Sequence, residues 1–364
     1  MKTLVISNMY PNKEFPTYGV FVRSTTESIE KYSKISKIVM NKKVSKLGKG
    51  LEYLVFYIRI IFFYLFDNSS LIYIHYPSHV AFLINKLSLI RKRKIITNVH
   101  GSDVVAKQGI EYKMRKHTEQ LLQNSIKIVV PSSYFKNYLL TNYKGLSSSN
   151  IYCYPSGGVN SLIFNHKNLS KNEFIKHSSS ITKNTYSYIS RVDEGKGWDT
   201  YIRAISILKT DFPNIFQALH FKIIGSGSKS NSLNDLLNEN GLTDEVEWIN
   251  SLPQKDLAKE MKNSKFVIFP SELQESLGLV GLESMACGTP LITSGVAGIS
   301  SYFVNEVNGI GFASGNASDL AKSIVISAEI TDEEYDNMCT LAIETAEKYL
   351  DINVEKVLVD IIKR

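Results

Sequence analysis

Short apolar runs rich in β-branched and aromatic residues recur along this chain, each followed by a stretch long enough for an amphipathic helix. That alternation constrains the fold more than any other feature. Parallel strands need long crossovers, usually helical, and a sheet covered by helices on both faces buries its strands completely. In the first half the candidate strands are residues 4–7, 38–40, 71–75, 94–99, 126–131 and 151–154, with amphipathic stretches at 20–32, 51–66 and 112–124. A polar segment at 165–185, rich in Ser, Lys and Asn, reads as a linker. A second series follows, with strands at 186–190, 221–224, 246–249, 266–270 and 291–293, and helix throughout 333–364. The pattern predicts an α/β chain of two domains, 1–165 and 166–345, followed by a C-terminal helix at 346–364. A site is expected in a cleft between the domains, facing the carboxyl ends of the strands.

A chain of 364 residues suffices for two cores, and its 43% apolar and 21% charged content is that of a soluble globular protein. The three cysteines, Cys153, Cys287 and Cys339, have neither zinc nor redox-motif spacing, so reduced thiols and a cytoplasmic setting are expected. The apolar run after Met1 is too short for a signal peptide and suits a first buried strand.

Charge is uneven. Residues 1–160 hold 23 Lys and Arg against 8 Asp and Glu, whereas the remainder holds 19 against 27. A basic first half can attract a phosphorylated substrate or an anionic membrane. Residues 51–66 (LEYLVFYIRIIFFYLF) are too short to span a bilayer and contain Glu52 and Arg59. They read as a buried core helix, with an interfacial helix as the alternative, because Lys31 to Lys49 include seven lysines just upstream and Arg91-Lys92-Arg93-Lys94 follows. Peripheral attachment at the inner face of the cell membrane is therefore an expectation. No nucleic-acid-binding module is recognisable.

The most informative stretch is FPSELQESLGLVGLESMACGTPLITS at 269–294. A strand ends near Pro270, a loop carries Glu275, and a helix of about ten residues closes at Gly288. Glu275 is expected at the helix entrance and Glu283 about two turns inside. The first-turn amides around Gly278 and Leu279 can hold a diphosphate, and glycine permits close approach. Glu275 can accept hydrogen bonds from sugar hydroxyls, and Glu283 from a ribose diol.

This Glu-x7-Glu segment closely resembles the signature of the retaining glycosyltransferases of family 4, also called glycosyl transferases group 1. Other segments fall in the family's order: YPNKEFPTYGVFVRSTTESIEK at 10–31, NVHGSD at 98–103, YPSGGVNSLIF at 154–164, SRVDEGKGWDTYIRAI at 190–205, FKIIGSGS at 221–228 and NGIGFASGNASDLAKSI at 308–324. The chain departs from the family's usual Gly-Phe-Gly after the first Glu, having Ser276-Leu277-Gly278, and has only Gly19 where many members have a glycine pair.

The resemblance implies the GT-B fold: two Rossmann-like domains facing across a cleft, the C-terminal helix returning to the N-terminal domain. It implies that Arg191 and Lys196 clamp the donor diphosphate, that Glu275 touches the donor sugar and Glu283 the ribose, and that His100 lies near the reacting sugar. Gly19, Gly225, Gly227, Ser276, Leu277, Gly278 and Leu279 would line the donor, and Asp103 would orient His100 or bind sugar. The expected activity is retaining transfer of a hexosyl unit from a UDP- or GDP-sugar to a glycan or lipid-linked glycan, in synthesis of a cell-surface polysaccharide such as lipopolysaccharide. No two Asp residues are separated by a single residue, so no metal or other cofactor is expected; fixed cations can stabilise the leaving diphosphate instead. Two alternatives stay open: a nucleotide-sugar 2-epimerase of the same fold, and a non-catalytic nucleotide-sugar-binding subunit.

Overall fold

The computed structural model describes residues 2–15, 18–43, 45–106, 108–166 and 184–363. The chain forms two compact units, one made of Met1–Gly157 with Val354–Arg364 and the other of Gly158–Asn353. The expected boundaries at 165 and 345 fall inside the second unit. Most of the linker read at 165–185 lies outside the described residues, and Thr185 already belongs to a strand.

The N-terminal unit holds one parallel sheet: β1 (Lys2–Tyr10), β2 (Lys34–Asn41), β3 (Leu71–His75), β4 (Ile95–Asn98), β5 (Lys127–Val130) and β6 (Ile151–Cys153), in the order β2-β1-β3-β4-β5-β6. β3 is buried at all five residues, as a strand covered on both faces must be. β2 lies at the edge, and its Lys34 and Lys37 are exposed. Three helices matter here: α1 (Val20–Glu30), α2 (Lys46–Phe66) and α3 (Ala81–Ile90).

α2 corrects the reading of residues 51–66 as a core helix. Phe56, Ile60 and Tyr64 are buried against Leu4, Ile6 and Ile38. The opposite face is equally apolar and is exposed at Leu51, Leu54, Val55, Ile58, Phe62 and Phe66. No described helix is long and apolar enough to cross a membrane.

The C-terminal unit holds β7 (Thr185–Ile189), β8 (His220–Ile224), β9 (Val246–Ile249), β10 (Phe266–Phe269), β11 (Leu291–Thr293) and β12 (Gly309–Gly311), all parallel, in the order β12-β11-β10-β7-β8-β9. Helix α4 (Trp198–Asp211) follows β7 and α5 (Leu279–Ala286) follows β10. The end of the chain is two helices rather than one, α6 (Asp332–Glu347) and α7 (Asp351–Lys363). Between them Tyr349 and Asp351 bond to Val159. Val354, Leu358, Ile361 and Ile362 of α7 pack with Val5, Ile29 and Tyr73, so the last helix completes the N-terminal core, as expected.

Candidate functional site

In the C-terminal unit β7 stands between β10 and β8. The connections after β7 and after β10 run in opposite directions, which opens a crevice at the carboxyl ends of these two strands. The loop after β7 carries Arg191 and Lys196, and the loop after β10 carries Glu275. Lys196 Nζ donates to Glu275 Oε1 at 2.6 Å, and Ser271 Oγ donates to the same oxygen at 2.8 Å. The two partners' side chains are only 12% and 16% exposed, so this ion pair is shielded from water. Arg191 is not brought to the pair. Its guanidinium is 73% exposed and binds Asp193 Oδ2 at 2.5 Å.

Asp193 is a residue the sequence reading overlooked, although it stands within the 190–205 motif. It accepts from both the amide and the hydroxyl of Ser228, each at 2.9 Å. Those bonds, with help from Arg191 and Lys196, hold its carboxyl below the usual range. The β7 loop is thereby tied to the Gly225-Ser226-Gly227 turn after β8. A Cβ on Gly225 would meet Ser190 O at 2.0 Å, and one on Gly227 would meet Val192 O at 2.3 Å. The two glycines are required by this loop-to-loop contact.

Helix α5 is shorter than expected. It runs eight residues, so Glu275 precedes it by four and Glu283 sits just over one turn inside. Gly278 starts it in the left-handed region at φ 79, where an added Cβ would lie 2.9 Å from the Phe269 ring. Tyr302 Oη donates to Gly278 O at 2.9 Å and fixes the turn. The amides of Leu279 and Val280 thus open the helix without intrahelical acceptors. Leu277, expected beside the donor, has its side chain in the core and offers only backbone there. Ser276 carries a backbone carbonyl against Gly298, whose added Cβ would meet it at 2.3 Å. Among the described residues Glu283 has no hydrogen-bond or ion-pair partner, and burial pushes its carboxyl up to about 7.

In the N-terminal unit the equivalent crevice lies at the carboxyl ends of β1 and β3. Gly19, at φ 75, starts α1 after β1. His75 ends β3, and His100 follows the neighbouring strand β4. Their rings stack at 5.3 Å, and His75 Nδ1 and His100 Nε2 share a hydrogen bond of 3.1 Å. Burial lowers both, His100 to about 3 and His75 well below its ordinary value. The pair is therefore neutral near pH 7. Phe21 of α1 lies 4.6 Å from the His100 ring, which brings the β1 loop to it.

Asp103 Oδ1 accepts from the His100 amide at 3.0 Å. Burial raises the Asp103 carboxyl to about 7, and among the described residues its Oδ2 has no hydrogen-bond partner. Tyr76, directly after His75, holds a left-handed φ of 56, a strained conformation for a bulky residue, and its hydroxyl bonds Ser102 at 2.8 Å. His75 stands in no recognisable sequence motif. Its place at the end of the strand beside that of His100 was the available signal.

Two neighbouring cavities extend from this region. One, of about 340 Å³, is lined by Asn8, Tyr18, Lys42, Lys49, Tyr53 and Glu111. The other, of about 540 Å³, is lined by Tyr57, Phe82, Leu83, Met114 and His117. His79 and Ile110 line both.

Residues 170–344 match the family model of the glycosyl transferases group 1. An uncharacterized glycosyltransferase of Methanocaldococcus jannaschii is 27% identical over 307 residues, 83% of this chain and 78% of that protein. A D-inositol 3-phosphate glycosyltransferase of Paenarthrobacter aurescens is 32% identical over 139 residues, 38% of this chain and 33% of its own length. Among solved structures, HepE of Anabaena in complex with UDP has a TM-score of 0.77 at 14% identity, over 100% of this chain and 99% of that one; it was also solved with UDP-glucose. Sucrose-phosphate synthase of Thermosynechococcus elongatus has a TM-score of 0.75 at 16% identity, over 99% and 97%. At these identities the structural likeness speaks for the fold.

Proposed function

The chain belongs to the glycosyl transferases of group 1, and from that premise we propose that it transfers a hexosyl unit from a UDP-sugar to a glycan or lipid-linked glycan, retaining the sugar's configuration and using no metal ion, in synthesis of a cell-surface polysaccharide. The carrying observation is the shielded Lys196–Glu275 pair at the crevice between β7 and β10. A diphosphate on the amides of Leu279 and Val280 comes within the reach of that ammonium group. As the sugar–phosphate bond breaks, the diphosphate gains negative charge, and a fixed cation lowers the barrier. Arg191 serves as the second cation by leaving Asp193 for the phosphate, where its planar fork binds two oxygens. Glu275 then accepts hydroxyl hydrogen bonds from the donor sugar, and the unpaired Glu283 takes the ribose diol.

UDP is favoured over GDP because HepE, of the same fold, was solved with UDP and UDP-glucose. The N-terminal unit is assigned the acceptor. Its lysine-lined cavity suits a phosphate, and the apolar cavity beside it suits a lipid chain. The neutral His75–His100 pair presents a hydrogen-bonding surface for a sugar without adding charge.

Thermal unfolding with UDP, GDP and ADP tests the base, since a ligand bound only by the native state raises the midpoint. UDP is expected to give the largest rise; an equal or greater rise with GDP or ADP would reassign the donor. With a transferable UDP-sugar, Lys196→Ala is expected to cost about 2–5 kcal/mol in kcat/KM, roughly 30- to several-thousand-fold. A loss below about threefold would place the phosphates elsewhere. Activity is expected to survive EDTA.

A further inference from the structure

We infer that the N-terminal unit docks on an anionic phospholipid surface through the outer face of α2. A helix with apolar residues on opposite faces buries both faces or meets lipid with one of them. α2 has two such faces, separated on one side by Glu52 and Arg59, and only one of them is covered. Leu51, Ile58 and Phe66 are 64%, 57% and 67% exposed, and with Leu54, Val55 and Phe62 they form one stripe at helical spacing. No charged side chain interrupts that stripe. Among soluble monomers an exposed apolar patch of this extent marks an interaction surface.

The patch continues onto α3. Arg91, just past α3, donates to Leu65 O at the end of α2, and Arg93 donates to Tyr64 O at 2.8 Å and Asp67 O at 3.1 Å. These bonds tie the end of α3, where Leu89 and Ile90 are exposed, to the end of α2, where Phe62 and Phe66 are exposed. They also set Lys92 and Lys94, both exposed, at that end of the patch. The other end is flanked by the exposed Lys42, Lys43 and Lys49. Cations at both ends of an apolar helix face match an interface of acyl chains beneath anionic headgroups. A protein partner or a second copy would need to present an acidic rim around an apolar groove to match the same pattern. The inner side of the same helix lines both cavities, with Tyr53 in one and Tyr57 in the other, so a docked α2 holds them close to the lipid.

The test is flotation of the full chain with vesicles of phosphatidylcholine alone or mixed with phosphatidylglycerol. Wild-type protein is expected to float with the mixed vesicles and to remain largely unbound with phosphatidylcholine. Ile58→Glu with Phe62→Glu is expected to reduce the bound fraction about tenfold or more at an unchanged thermal midpoint. Lys92→Glu with Lys94→Glu is expected to remove the preference for phosphatidylglycerol. If the glutamates unfold the chain, Ile58→Ser with Phe62→Ser provides the same comparison. Wild-type protein that floats with neither vesicle, floats equally with both, or is matched by the apolar-face variants would overturn the inference. So would a stable dimer in dilute buffer that those variants dissociate. The rise in midpoint with UDP is read on every variant, so failure to bind lipid remains separable from failure to bind nucleotide.

Discussion

Glu283 is a partly buried carboxyl with no hydrogen-bond or ion-pair partner among the described residues, and its protonation near neutrality has a consequence for the donor. Below about pH 7 it carries a proton in the free protein. Two ribose hydroxyls both donate, so they favour the ionised form, which accepts at both oxygens. With the ribose on Glu283 as proposed, binding pulls the carboxyl down and releases a proton. Affinity for UDP-glucose, whose diphosphate has no titration near neutrality, is expected to rise with pH through about 7 and then level off. Calorimetry in buffers of different ionisation enthalpy measures the released proton, and Glu283→Gln is expected to abolish it. A pH-independent affinity in the wild type would remove Glu283 from the ribose. At this scale the sequence made Lys196, Glu275 and His100 legible because each stands in a motif with fixed spacing. Asp193 and His75 were harder to assign because their importance comes from partners 35 and 25 residues away. Arg191 was legible as a residue but not in its position, since an exposed side chain beside an aspartate takes the nearer charge.

The start of α5 shows how an element's backbone can set a site. Gly278→Ala puts a Cβ into left-handed backbone and against Phe269, Ile299 and the Tyr302 hydroxyl. The backbone penalty alone is about 1–2 kcal/mol. We expect a lower thermal midpoint together with a weakened UDP response, because the same turn aims the Leu279 and Val280 amides. An unchanged midpoint would mean that the turn accommodates the methyl. The helix was expected to be longer because apolar residues continue on both sides of it; the glycine geometry that ends the loop at 278 leaves no trace in hydropathy. The strands were legible in proportion to their burial. In β2 only Ile38 and Met40 are buried, and those are the ends of the segment that apolarity revealed, while the paired Lys34 to Lys37 backbone went unseen. β12 is Gly-Ile-Gly, too short for a periodicity, and only the family resemblance pointed to it. The apolar residues of α2 predicted a helix correctly but could not say that half of them face outward, since both faces carry the same chemistry.

For the molecule as a whole, the two units share one chain unequally. The N-terminal core takes Val354, Leu358, Ile361 and Ile362 from α7, and the Lys127 ammonium bonds Ile361 O. At about 1.5–3 kcal/mol per buried side chain, these four bring roughly 6–12 kcal/mol as an upper bound, comparable with the net stability of a whole domain. Removing residues 354–364 is expected to abolish or sharply lower the N-terminal transition in scanning calorimetry, while the C-terminal transition persists and still responds to UDP. Two unaltered transitions would show that α7 is dispensable.

The shared core also sets a schedule. The first unit to be started during synthesis is the last to be finished, because a side of its interior waits for residues made after the entire second unit. Until they emerge, Val5, Ile29 and Tyr73 lack their cover. A nascent chain of this kind has its second unit ready before its first, and a chaperone that shields apolar surface has an interval in which to act.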